Sequence, residues 1–150
     1  MDTQRWLTRF TKIFLDFMFW AGIAVTVTLP WGIRFVGQYI TRLLDHYYSV
    51  VAVYFILGLC AEIILWELRK IFGTVIAHNC FVKENVNSLQ RMGTVSFVIV
   101  LFSLVRILLY PTMAMLVVVL VFVVAGLFSK VLAMVFEEAV NFKEDNDLTI

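Results

Sequence analysis

The residues able to do chemistry are few and scattered. His46 and His78 fall on opposite sides of an apolar run, and neither has a His, Cys or carboxylate partner at metal-ligand spacing, so no metal site is indicated. Cys60 lies inside an apolar run and Cys80 in a polar connector, which puts them on different sides of a headgroup boundary. A disulfide is not expected, and each thiol reads as a small hydrophobe. The chain carries neither an H-E-x-x-H pattern nor a nucleophile with a partnered base, so enzyme activity is not expected and no cofactor is implied.

Glu62 is the exception, because an acid inside a hydrophobic run is costly and is a functional hypothesis by default. It stands about one turn before Trp66 and Glu67. Two readings stay open: a carboxylate that reaches the interface and packs there, or an intramembrane ion or partner site. Asp16 and Arg106 stand near the ends of apolar runs, where snorkelling explains a charge more cheaply than a buried ion pair. Arg106 therefore reads as a boundary residue.

These residues are set in a chain that only a bilayer can accommodate. Hydrophobic residues make up 62% of it, against roughly 45–50% in ordinary globular domains. Charged residues are 15%, against about 25%. A soluble fold of this size could not bury that much apolar surface. The formal net charge of +1 gives no basic footprint, so direct nucleic-acid binding is not expected.

The run from Phe17 to Ile33 holds 17 residues without a charge, roughly 25 Å of helix against a hydrocarbon core of about 30 Å. It forms the centre of a first span over 14–33, with Pro30 and Trp31 suited to its far interface. No small-residue cleavage site closes it, so it reads as a retained span. Further spans fall at 47–66, 93–109 and 113–136, the last two joined by a tight hairpin at Tyr110, Pro111 and Thr112. The fold class is all-α: a polytopic membrane protein with four transmembrane helices and a cytoplasmic helical connector, 67–92, between the second and third. Arg5, Arg9 and Lys12, then Arg69, Lys70, Lys83 and Arg91, outweigh Arg34 and Arg42 on the other side. Both termini and the connector are accordingly expected in the cytoplasm of a bacterium, with the spans in its inner membrane.

Within the connector, Leu68, Ile71, Phe72, Val75 and Ile76 recur at helical spacing and extend the second span. Asn79 and Cys80 break the pattern, and Val82, Val86 and Leu89 restart it. A helical hairpin at or below the headgroups is the expectation. Ala125, Ser129 and Ala133, with Gly126 beside them, form a small-residue face that lets another helix approach. Packing within the bundle is the favoured use, and contact with a second copy is the alternative. The tail, 137–150, continues helically until the Asp145-Asn146-Asp147 cluster, which is expected to stop it. Its excess of acids reads either as a solvated face or as a docking surface for a basic partner.

Two stretches carry a family resemblance: Phe81-Val82-Lys83-Glu84-Asn85-Val86-Asn87-Ser88-Leu89-Gln90-Arg91-Met92-Gly93, and Glu138-Ala139-Val140-Asn141-Phe142-Lys143-Glu144-Asp145-Asn146-Asp147-Leu148-Thr149-Ile150. The chain resembles the bacterial membrane proteins grouped as domain of unknown function 2975. In that family Ser or Thr often follows the Phe as a helix N-cap, where this chain has Val82; Asn79 and Asn85 are the other polar candidates for that role. The resemblance brings no catalytic residues. It implies a membrane component of a regulatory pair, because members are often encoded beside a small Cro-type helix-turn-helix regulator.

The expected function is thus non-enzymatic: the membrane partner of a small helix-turn-helix transcription factor. The candidate contact residues are Phe81, Asn85, Leu89, Glu144, Asp145, Asn146, Asp147, Leu148, Thr149 and Ile150. The alternatives are a small transport or immunity protein, with Glu62 in a pathway between helices, and a packing subunit of a larger membrane complex. Besides the lipid bilayer, a second copy of the chain is a candidate partner.

Overall fold

In the computed structural model, residues 2–40 and 45–149 are described; Arg42, which bears on orientation, and Ile150, a tail candidate, lie outside the described residues. Four helices follow one another: α1 (Asp2–Gly37), α2 (Tyr47–Ile76), α3 (Lys83–Leu109) and α4 (Met113–Leu148). Each is long and apolar enough to cross a membrane. The chain is an all-α, multi-pass membrane protein. The 36 residues of α1 and of α4 extend about 54 Å at 1.5 Å per residue, well beyond a hydrocarbon core of about 30 Å. The helices therefore project out of the bilayer as well as through it.

The helices pack in chain order, α1 on α2, α2 on α3, and α3 most extensively on α4. One end of the bundle holds both termini and the turn between α2 and α3, since Lys143 Nζ of α4 donates to Asn79 Oδ1 at 3.1 Å. At the other end the ring of His46 lies 5.1 Å from that of Tyr110. The buried cluster of Ile71, Leu89, Met92 and Ala133 joins α2, α3 and α4 toward the termini, with Leu68 and Val75 packed against it. Much of the remaining apolar surface, such as Phe17, Leu108, Leu120 and Phe128, faces outward, as helices in lipid require.

Two boundaries differ from the sequence expectation. Pro30 does not end the first helix, which continues to Gly37. Pro30 has no N–H to give to Thr26 O, a loss that a transmembrane helix tolerates, and Tyr47 Oη of α2 donates to Pro30 O at 2.9 Å, which ties this turn of α1 to α2. The Asp145-Asn146-Asp147 cluster does not end α4, which runs on to Leu148. Asp and Asn cost a few tenths of a kcal/mol each in a helix, roughly, too little to stop one that is already propagating. Lys83 pairs with Glu144 at 3.3 Å and holds the extension against the start of α3.

The turn between α2 and α3 closes without a side-chain cap on α3: Val82 is the extended N-cap residue and makes no capping hydrogen bond. At the end of α2, Asn79 N–H donates to Thr74 O at 3.0 Å and His78 N–H to Val75 O at 3.1 Å. His78 takes the left-handed conformation this pattern needs, φ 56°, the place usually filled by glycine. The hairpin between α3 and α4 is as tight as expected, Leu109 to Met113.

The small-residue face is used inside the bundle. Gly126, Ser129 and Ala133 are buried, and a Cβ on Gly126 would lie 3.2 Å from Phe97, 3.3 Å from Ser96 and 3.4 Å from Gly93 O, all on α3. Gly126→Val should therefore lower the thermal unfolding midpoint in detergent, overpacking costing about 1–3 kcal/mol. Gly32→Val, with nothing within 4 Å, should not. Equal midpoints would show that α3 and α4 do not meet at this glycine.

Candidate functional site

The polar groups of the α2–α3 hairpin are gathered around two buried side chains. Glu67 of α2 is only 3% exposed. Ser88 Oγ of α3 donates to its Oε2 at 2.7 Å, Arg91 Nη1 to its Oε1 at 3.3 Å, and Lys70 Nζ reaches both oxygens at 3.3 Å. A carboxylate this far from water needs such donors, because burying it unpaired would be prohibitive. Toward the turn, Asn85 is 1% exposed, and its Nδ2 donates to Thr74 Oγ1 at 2.6 Å and to Cys80 O at 2.7 Å. Asn85 thus holds the turn from inside and is not the N-cap of α3. Asn79 serves differently again, accepting from Lys143.

Around this buried frame lies an exposed face shared by the turn and the α4 extension. The Phe81 ring packs tilted against that of Phe136, with centroids 5.4 Å apart, yet Phe81 remains 47% exposed. A groove of about 580 Å³ runs past Phe81, Glu138, Phe142 and Asn146. An adjoining one, about 460 Å³, is bordered by Phe81, Lys83, Glu144 and Asp147. Four of the sequence-selected contact residues, Phe81, Glu144, Asn146 and Asp147, are therefore brought together on one face. Asp145, Leu148 and Thr149 are exposed along the same helix end, and Thr149 Oγ1 turns back to Asp145 O and Asn146 O.

The other two are corrected by burial. Leu89, 6% exposed, belongs to the hydrophobic cluster, and Asn85 is enclosed by its own hydrogen bonds, so neither is a surface contact residue. Glu67, Ser88 and Arg91 are not site candidates by sequence, where Arg91 counts only toward orientation and Glu67 only as a neighbour of Glu62. A signal existed: Asn85 and Ser88 are polar residues on the same side of α3 as the apolar Val86, Leu89 and Met92.

The family described as protein of unknown function (DUF2975) matches residues 24–150. The chain belongs to this family. No curated protein and no solved structure matches the chain. The DUF2975 match covers both the Glu67–Ser88 hairpin and the α4 extension, so the buried frame and the exposed face lie wholly within the family's domain.

The intramembrane charges are disposed less simply than snorkelling implies. Asp16 pairs with Arg69 across α1 and α2, and the guanidinium sits over the rings of Phe19 at 4.6 Å and Trp66 at 5.7 Å. Arg106 stands in the last turn of α3 but turns inward: it is 9% exposed, with its carbon centre 5.0 Å from the Tyr110 ring centroid and its Nε and Nη1 buried without an acceptor among the described residues. Ser103, one turn away and fully buried, is likewise unpartnered there. The Glu62 carboxylate turns into the α1–α2 contact, where Gly22 leaves room for its Oε1, and its Oε2 is buried without a hydrogen bond among the described residues.

The Glu67 network yields a direct test. Ser88→Ala removes the shortest donor to a buried carboxylate and should lower stability in detergent by about 1–3 kcal/mol. In a Glu67→Leu background the same change should cost much less, because no carboxylate is left to satisfy. Additive losses in chemical denaturation would mean that the two side chains act independently.

Proposed function

We propose that the chain is a non-catalytic membrane anchor that holds a small, basic DNA-binding regulator of the helix-turn-helix class against the face formed by Phe81 and the α4 extension. The observation that carries this reading is the pairing of two exposed rings, Phe81 at 47% and Phe142 at 74%, with the acids Glu138, Glu144 and Asp147 around them. An apolar centre with a charged rim is how protein interfaces combine affinity with selection by charge. Soluble, basic partners suit an acidic surface, and the Lys/Arg distribution favours a cytoplasmic position for this end, in the inner membrane of a bacterium. The neighbouring-gene habit noted for the family selects a transcription regulator among basic proteins.

Charge reversal of Glu144, Asp145 and Asp147 to Lys should release the co-expressed regulator from the membrane fraction into the soluble one, and added salt should weaken the wild-type contact in the same direction. Phe81→Ala should act similarly without changing the charge, at a cost of about 2 kcal/mol or more if the ring is a central anchor. Undiminished co-sedimentation of the regulator with both variants, or a C-terminal reporter active only outside the cytoplasm, would overturn the reading.

A second reading rests on Glu62. An unpartnered carboxylate oxygen between α1 and α2 favours a transport role, in which that group takes up and releases a cation or proton. Glu62→Gln keeps the shape and removes the charge. Under the anchoring reading it should leave both abundance and regulator retention unchanged, whereas loss of a cation flux in reconstituted vesicles at normal abundance would favour transport.

A further inference from the structure

The same turn that presents Phe81 also closes a cavity of opposite character. Between the first two turns of α1 and the end of α2 lies a space of about 500 Å³. Arg5 and Arg9, four residues apart and so on one face of α1, border it together with Thr8, while Val75, Ile76 and His78 form the far wall. Among the described residues no carboxylate lines it. The nearest acid along α1 among the described side chains, Asp16, is engaged by Arg69. Two arginines therefore border a space that has apolar residues on its far side and no acidic partner among the described residues, a combination that suits an anionic phosphate attached to an apolar body.

The height of the cavity decides the source of that phosphate. Trp6 and Phe10 alternate with the two arginines on the same turns of α1, stack on each other at 5.5 Å, and are 66% and 54% exposed. Tryptophan favours the headgroup level of a bilayer, and the apolar run of α1 begins just beyond, at Ile13 and Phe14. Arg5 and Arg9 are thus positioned where lipid phosphates lie, with long stems that can follow the surface while the charged heads bond.

We propose that this cavity binds the phosphate headgroup of an anionic phospholipid, with Arg5 and Arg9 as the gripping residues and Val75 and Ile76 receiving the apolar start of the lipid. The site is independent of the regulator-docking face and rests only on the chain being a membrane protein.

The full-length protein, reconstituted into phosphatidylcholine vesicles containing a minor fraction of phosphatidylglycerol and then extracted in mild detergent, tests this by native mass spectrometry. The wild type should retain phosphatidylglycerol in preference to phosphatidylcholine. Arg5→Gln with Arg9→Gln should lower that retention about tenfold or more, the usual worth of hydrogen bonds to a charged group. Lys12→Gln removes an equal charge from the same helix but from outside the cavity, and should retain the lipid as the wild type does. Arg9→Lys keeps the charge and should preserve the preference, which separates lipid contact from loss of folding. Three results would each overturn the proposal: no preference in the wild type, a loss in Lys12→Gln as large as that in the double Arg5→Gln, Arg9→Gln variant, or displacement of the lipid by excess inorganic phosphate. The second would mean a diffuse surface charge, and the third a site for free phosphate.

Discussion

The buried Glu67 carboxylate is the contact on which the shape of the terminal end depends. Between helices in lipid there is no hydrophobic drive of the kind water supplies, so polar contacts and close packing must set register. A carboxylate 3% exposed accepts only arrangements that bring donors to it, and Ser88 and Arg91 meet that demand from α3. Fixing residue 67 against residue 88 also brings Thr74 to Asn85, about two turns farther along α2, and there the amide side chain closes the turn. Lys70 and Arg91 remain largely in contact with their surroundings, so the network stabilises the buried group without burying its counter-charges.

Once α3 is set on α2, α4 follows by a different means. Gly93, Ser96, Gly126 and Ser129 bring two backbones close, and Lys130 lies along Gly93 with its ammonium on Gln90 and Thr94. The close fit carries α4 straight past the end of the α3 contact, which is why the acids of the tail stand as one helical face beside Phe81 and not as a loose segment. The exposed face is thus a product of packing deeper in the bundle.

The four helices were legible because uninterrupted apolar runs of that length have few other uses, and the tight hairpin at Pro111 because two spans left no room for more. Helix ends were less so. Pro30 and the Asp145–Asp147 cluster carry breaker chemistry, about 3 kcal/mol for an interior proline and a few tenths for each Asp or Asn, and both are outweighed once a helix is held by neighbours. The site was legible in part: acids and an aromatic near a connector suggest a surface, and Phe81, Glu144, Asn146 and Asp147 do share one. Asn85 and Leu89 belonged to the same sequence signature but face inward. Their position follows from the register set by Glu67 and Ser88, a pairing across the hairpin that no local pattern displays.

The six residues between α2 and α3 serve two neighbours at once. His78 belongs to the wall of the basic cavity and Phe81 to the aromatic, acid-rimmed face, with Asn85 tying the segment to both helices. The span is short, and backbone bonds at His78 and Asn79 tie its first half to the end of α2. Where the occupants of the two sides each bind one setting of this turn better than another, each changes the other's affinity, and by thermodynamic reciprocity the factor is the same both ways. The bilayer's own composition would then act as an effector of whatever the protein holds.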